Sequence, residues 1–519
     1  MRNDPANPVL VQDADALARR RAAIGLCVAL LCGAAAVGAA ITLSGLATRY
    51  LAAIVAALAG LVGLPLLGSR RRAFDAAVAV MCLGLSVGFS ISFLHRMMVP
   101  GKFVPFMAGA EGVTVSLTFV ATALYGGLWL FERHFYGIVR PVRIYGPLFW
   151  PGVLFMAAGV LSLSNAVDFY LPALEEFRLL CLLGVTVVVM NFRPREVNIY
   201  LLVLAGSVIL EATLASMQFA TGRSFGLSVF GEAAPELADV DFQIVARPTG
   251  LFGDPNMMAY FFEITLPLML ALMLTARERL ERLIYLAASI AGLVGIFVSL
   301  SRAAWLTAPV TLGFIAVKLY GRRLMSLRVA LIGIAALGAV AIGVVAILPI
   351  LEHRLFGDDA GSMSYRLPLD IAAIGVLRKF PVFGVGLNNF AITFTNYDRT
   401  GYSFVRWDVD YVVHNLFLLV WTEVGTIGFI AFLWYFGSVF WATAKLPRGD
   451  IRARAIGLGV SAGLFAHLMH GMVDPGFKMN LTVSELIAAQ IGLVGCLCLP
   501  ARGRPTAYRI PLVAKAAAG

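Results

Sequence analysis

The chain has 519 residues, of which 60% are hydrophobic and only 14% charged, with a mean hydropathy of +0.85. Soluble domains run nearer a quarter charged, so this balance makes lipid the main solvent and excludes a soluble globular enzyme. The net charge of +11 does not point to nucleic acid. Lys and Arg come in short clusters between apolar runs, which is how membrane topology is written.

A polar segment, 1–21, ends in Arg19-Arg20-Arg21. The apolar run from Ala22 to Leu43 is too long for a signal-peptide core, so it reads as a retained first span. Further spans are predicted near 50–68, 74–94, 112–131, 146–163, 177–192, 197–219, 257–275, 283–300, 303–320, 329–350, 412–442, 455–473 and 481–499. Each is about the length that a ~30 Å hydrocarbon core requires. The fold class is therefore all-α: a polytopic integral membrane helical bundle of about 12–14 transmembrane helices, with a large external loop containing short helices. Its parts are a cytoplasmic tail 1–21, helices 22–219, an external loop 220–256, helices 257–350, a large external loop 351–411, helices 412–499 and a cytoplasmic tail 500–519.

The basic residues test this order. With the N-terminus inside, the inside loops carry Arg70–Arg72, then Arg133, Arg140 and Arg143, then Arg193 and Arg195, then Arg277, Arg279 and Arg282. Lys318 with Arg322, Arg323 and Arg328 follows, then Lys445, Arg448, Arg452 and Arg454, and last Arg502, Arg504 and Arg509. Every alternate loop is basic, so both termini are expected inside. Three segments then face outward: the acidic stretch 164–176, the loop 220–256 and the loop 351–411. Within the last, Leu369–Phe380 puts Ile371, Ile374 and Leu377 on one helical face, which predicts a short helix on the membrane surface or over a cavity. The six cysteines (Cys27, Cys32, Cys82, Cys181, Cys496 and Cys498) all lie in apolar runs, and neither disulfides nor a thiolate metal site is expected.

Four polar positions fall at or near the outer ends of spans. Arg247 lies in Ala246-Arg-Pro-Thr-Gly-Leu-Phe-Gly-Asp-Pro-Asn256, where two prolines stiffen the strip and two glycines permit tight turns. Arg302 is a lone cation between two apolar helices, and a snorkelling role toward lipid phosphates is open for it. His414, beside Asn415, begins the 412–442 span. A helix N-terminus disfavours imidazolium, so this side chain would be neutral and able to accept a proton; a plain capping role for the pair is the other reading. Glu423 lies about nine residues into the same span, a depth at which a carboxylate has a partner or a function. Glu211, Glu263 and Asp474 raise the same question, and His467 with His470 reads as packing and interhelical hydrogen bonding ahead of metal binding.

Two cations and one base at an outward-facing bilayer surface suit a lipid-linked phosphate ester. Arginine recognises phosphate bidentately and neutralises charge on a leaving diphosphate, while His414 could deprotonate a hydroxyl. Such a transferase needs no metal and no cofactor. Loop arginines Arg366, Arg399 and Arg406 extend the same basic surface.

The ordered set Arg247-Pro-Thr-Gly, Asp254-Pro-Asn256, Ser301-Arg302, Pro381-Val-Phe-Gly-Val-Gly386, His414-Asn415 and Glu423-Val-Gly425 with Gly428 resembles the O-antigen ligase and polymerase superfamily. The resemblance covers roughly 245–430. It implies a metal-independent, inverting glycosyltransferase of the bacterial inner membrane that moves a glycan from undecaprenyl diphosphate to a saccharide acceptor, lipid A core or a growing polymer, in the periplasm. It further implies that Arg247, Arg302 and Arg366 hold the diphosphate and His414 activates the acceptor hydroxyl. Asn256, Asn415 and Glu423 would support them, with membrane lipid and other polysaccharide export proteins as further partners. The competing expectation is a transporter or flippase of a lipid-linked saccharide, motivated by the buried carboxylates Glu211 and Glu263.

Overall fold

The computed structural model describes residues 70–93, 112–240, 243–321, 366–400 and 412–500. The expected spans 22–43, 50–68 and 329–350, the two tails beyond residue 500 and before 22, Cys27, Cys32 and Arg406 lie outside the described residues. The described elements run α1 (Arg70–Gly84), β1 (Ser90–Phe93), β2 (Val113–Ser116), α2 (Leu117–Tyr136), α3 (Gly146–Ser162), α4 (Tyr170–Met190), α5 (Pro194–Thr221), β3 (Glu236–Val240) and β4 (Gln243–Arg247). They continue with α6 (Pro255–Thr275), α7 (Arg279–Val298), α8 (Arg302–Tyr320), α9 (Arg366–Lys379), α10 (Phe390–Thr393), α11 (Leu416–Ala444), α12 (Ile451–His470), α13 (Gly476–Met479) and α14 (Leu481–Cys498). Among the described residues, apart from two antiparallel two-stranded ribbons, β1–β2 and β3–β4, the fold is all-α. Seven of the described helices are long and apolar enough to cross a membrane, among them Pro194–Thr221, Pro255–Thr275, Leu416–Ala444 and Leu481–Cys498. The chain is an all-α, multi-pass membrane protein.

The middle of the bundle is α6. Asp254 caps its N-terminus by accepting from the N–H groups of Asn256 and Met257, and Pro255 occupies the first turn. The helix is buried around nearly its whole circumference, as expected of a central element. It packs on α7, α8 and α12. Gly459 and Gly463 of α12 sit against the α6 backbone, where a Cβ on Gly463 would come within 2.3 Å of the Ile264 carbonyl oxygen. Small residues one turn apart thus set the approach of the two helices, the usual device where lipid removes the hydrophobic drive.

Two boundaries depart from the sequence reading. The span expected at 74–94 ends as a helix at Gly84, because Gly84 packs against Thr118 at a distance no side chain would permit and the chain turns into β1. The acidic loop expected at 164–176 is shorter. Asp168 accepts from the N–H groups of Tyr170 and Leu171 and starts α4 there, which carries Glu175 into the protein interior.

The described part of the 351–411 segment contains short helices, α9 and α10, and is fastened to the bundle by a break in α11. Gly425 takes φ +65°, which interrupts the helical ladder. The freed carbonyls of Thr422 and Glu423 accept from the N–H groups of Val385 (3.0 Å) and Gly386 (2.9 Å). The freed N–H of Thr426 donates to Pro381 O at 2.9 Å. The Pro381–Gly386 strip therefore fills the gap in α11 and satisfies the orphaned backbone groups. Gly384 (φ +71°) and Gly425 are mutually required, since a Cβ on either would meet the other segment's backbone within 2.4 Å. A small apolar core of Leu369, Ala373, Val376, Phe390, Phe394 and Val413 holds α9 and α10 against the first turns of α4 and α11.

The basic residues of alternate loops collect at one end of the bundle. Arg140 pairs with Glu132 at 2.5 Å, Arg195 with Asp75 at 2.8 Å, and Arg452 bridges to Asn198 (3.0 Å) and Glu281 (3.4 Å). The motif residues collect at the other end.

Candidate functional site

Arg247 closes β4 and is held from both sides. Across the ribbon it pairs with Glu236 at 2.9 Å, and its Nη2 donates to Asn256 Oδ1 at 3.2 Å. The strip that follows it is pinned to the end of α5. Gln218 Oε1 accepts from the N–H groups of Thr249 (3.1 Å) and Gly250 (2.9 Å), and Glu211 Oε1 accepts from Leu251 N at 2.8 Å. Gly250, at φ +55°, lies so close to Glu211 that a Cβ would come within 1.7 Å of its carboxylate. Glu232 in turn accepts from Gln218 Nε2 and from the N–H groups of Phe225 and Leu227, and these hydrogen bonds outweigh burial and keep its carboxyl below the usual range. Glu211 is thus a backbone anchor for the Arg-Pro-Thr-Gly strip.

Asn256 relays Arg247 to the far side of the site. Its Nδ2 donates to Asp474 Oδ2 at 3.0 Å, in the turn after α12. Asp474 is 5% exposed, and its Oδ1 has no hydrogen-bond partner. Burial, reinforced by the charge of Asp254, raises its carboxyl to about 6, against the opposing pull of His470, Arg366 and Asn256. The Tyr260 hydroxyl donates to the Asp474 carbonyl, and the Tyr260 ring stacks on His470 at 4.1 Å. His470 Nδ1 lies 2.7 Å from Glu263 Oε2, while Thr307 of α8 donates to the other carboxylate oxygen. His467 packs against Tyr260 and Phe436.

His414 stands one residue before the cap of α11. Asn415 is the cap itself, accepting from Phe417 N (3.0 Å) and Leu418 N (3.1 Å), and Leu416 N donates to Gly471 O at 2.7 Å, which docks this helix start onto the end of α12. Burial, followed by the positive charge of Arg366, pushes the His414 imidazole down to about 4, so the ring is neutral at neutral pH. Arg366, at the start of α9, is within electrostatic reach of His414, Asp370 and Asp474. Arg302 opens α8 five residues before Thr307. Hydrogen bonds thus link Arg247 through Asn256 to Asp474, and Arg366 lies within electrostatic reach of both Asp474 and His414 at the same end of the bundle. Asp474 is the member of this group that sequence reasoning left unassigned.

Glu423 belongs elsewhere. Its Oε2 pairs with Lys478 Nζ at 2.9 Å, and the same ammonium reaches Glu175 Oε1 (2.8 Å) and Asn388 Oδ1 (2.8 Å). Arg178 completes the group by pairing with Glu175 and donating to Ser484 Oγ at 2.7 Å. Two carboxylates and two cations, each at most 2% exposed, neutralise one another. Sequence reasoning missed Lys478; its setting in a four-residue helical turn between two spans gave no periodic signal.

No curated protein matches the chain. A solved chain described under "Structural coordination of polymerization and crosslinking by a peptidoglycan synthase complex" aligns with 69% of this chain and 98% of its own length, at 16% identity and a TM-score of 0.36. The family model described as O-antigen ligase matches residues 286–433, a stretch that takes in Arg302, Arg366, His414 and Glu423. Over that stretch this multi-pass membrane protein is similar to the O-antigen ligase superfamily, and the match supports an enzyme of glycosyltransferase type.

Proposed function

We propose that the chain transfers a glycan from undecaprenyl diphosphate to a saccharide acceptor at the periplasmic face of a bacterial inner membrane, with both termini in the cytoplasm. The observation that carries this reading is the grouping of Arg247, Arg366 and His414 around Asp474 at the end of the bundle opposite the basic loops. Arginines there neutralise a leaving diphosphate, with Arg302 at the start of α8 as the third. His414 accepts the proton of the acceptor hydroxyl while that oxygen bonds to the anomeric carbon from the face opposite the diphosphate. The carbon–oxygen bond to the diphosphate breaks with its electron pair, and the configuration inverts. An imidazole held near 4 is a weak base, so it takes the proton as the new bond forms rather than in a prior equilibrium.

Asn256 and Asp474 hold Arg247 in place in this scheme, and Asn415 fixes the backbone from which His414 projects. The carboxylates that favour a carrier are engaged otherwise: Glu211 holds the Arg-Pro-Thr-Gly strip and Glu263 holds His470. The test is reconstitution. Purified chain in nanodiscs, given an undecaprenyl-diphosphate-linked glycan and a saccharide acceptor, forms the glycosidic product and releases undecaprenyl diphosphate. Translocation of the intact donor without product would overturn the proposal.

A further inference from the structure

The α9 helix is apolar on two opposite faces. Leu369, Ala372, Ala373 and Val376 are fully buried against α10 and the first turn of α11. Leu367, Ile371 and Ile374 form a second row, 65%, 45% and 42% exposed. At 3.6 residues per turn the two rows lie about 180° apart, so the elements that bury the first leave the second exposed. Arg378, exposed, continues the outer row, and exposed Lys379 follows it.

The height of this helix is set by what it packs on. Its inner face packs with Leu171 in the first turn of α4 and with Leu419 in the first turn of α11, a helix long and apolar enough to cross a membrane, so α9 lies level with that end of α11 rather than above it. The neighbouring rim is exposed and apolar too. Val167 and Phe169 are each 67% exposed, Tyr170 38% and Val382 47%. That rim is tied to the segment leaving α9, because Asp168 N donates to Asn389 Oδ1 at 2.8 Å and Asn165 Nδ2 to Gly384 O at 3.0 Å. Aromatic side chains at helix ends and a helix with an apolar row ending in cations are both signatures of the headgroup region.

We infer that α9 is an interfacial helix whose outer row, Leu367, Ile371 and Ile374, is sunk into the outer leaflet, with Arg378 and Lys379 against anionic lipid headgroups. The inference stands apart from the transferase reading. It places Arg366, at the first turn of the same helix, at headgroup depth, where a lipid-borne phosphate would arrive laterally.

The test uses the full chain with its six native cysteines replaced by alanine, in nanodiscs containing phosphatidylglycerol. A nitroxide on Ile374→Cys is compared with one on Asn396→Cys, an exposed position of the same loop. The ratio of oxygen to nickel-chelate collision is expected to be several-fold higher at 374 than at 396. Equal ratios would place the row in water, and loss of access to both reagents at 374 would place it under protein; either overturns the inference. In the Arg378→Glu, Lys379→Glu background the ratio at 374 falls in phosphatidylglycerol nanodiscs and holds in zwitterionic ones. An identical ratio in both would overturn the anionic assignment.

Discussion

Two buried polar groups sit at the same end of this bundle, and they differ in how completely their charges are answered. In the Glu175–Arg178–Lys478–Glu423 network every charge has an opposite partner within 3 Å. Around Asp474 the balance is incomplete. Asp474 Oδ1 has no hydrogen-bond partner, as Glu423 Oε1 has none in the first group, but no described cation forms an ion pair with Asp474, and His414 is kept neutral beside Arg366. A closed network of this kind fixes geometry, whereas an open one has valence left for a ligand. The comparison separates Glu423, which a motif would group with His414, from the residues that stand around Asp474.

The largest effect belongs to the closed network. Lys478→Met leaves two buried carboxylates with Arg178 alone and is expected to destabilise the fold by about 3–5 kcal/mol, read by thermal unfolding in detergent. Adding Glu423→Gln restores the charge balance and most of that loss. An unchanged melting curve for the single variant would mean that the network carries no stability.

Next comes Asp474. Its carboxyl titrates near 6 in the fold, above the ordinary value of 3.8, so the folded chain holds this proton more tightly than the unfolded one. The resulting stabilisation is complete below about pH 4 and is lost as pH rises through 6. Asp474→Asn is therefore expected to gain on the parent chain between pH 4 and 7, by at most about 3 kcal/mol. Parallel stability profiles for the two chains would contradict the assignment. Gly425→Ala tests the break that seats the Pro381–Gly386 strip. A side chain at φ +65° facing the Val382 carbonyl costs about 1–3 kcal/mol. The smallest effect is at the opposite end, where Arg452→Ala removes a partly exposed pair with Glu281 and changes the melting temperature by little, about 0.5 kcal/mol or less.

Much of this was legible in the sequence because lipid imposes simple rules. Apolar runs gave the helices, and alternate basic loops foretold that Arg140, Arg195 and Arg452 would gather at one end. The motif spacing of Arg247 and Asn256, nine residues apart, was readable as a stiff strip, but the anchor was not. Gln218, Glu211 and Glu232 hold that strip through backbone N–H groups, and such contacts leave no pattern in a single chain. Lys478, and the partners of Asp474, were hidden for a related reason. Lys478 and Asp474 both lie in the short α12–α14 connection, and their partners are 55 to 303 residues away in sequence. Of the α9 face read as Ile371, Ile374 and Leu377, the two isoleucines are exposed and Leu377 is half-buried, while the opposite face that binds α9 to the protein was not foreseen, since Ala372 and Ala373 carry little hydrophobic signal.

The central claim is that the open network is the transferase site and His414 its base. The most direct measurement is glycan transfer by purified His414→Ala chain in nanodiscs, run beside the parent chain with thermal unfolding of both. The account predicts a rate lower by about 10²–10⁴ with the melting temperature unchanged. Transfer at the parental rate would contradict it.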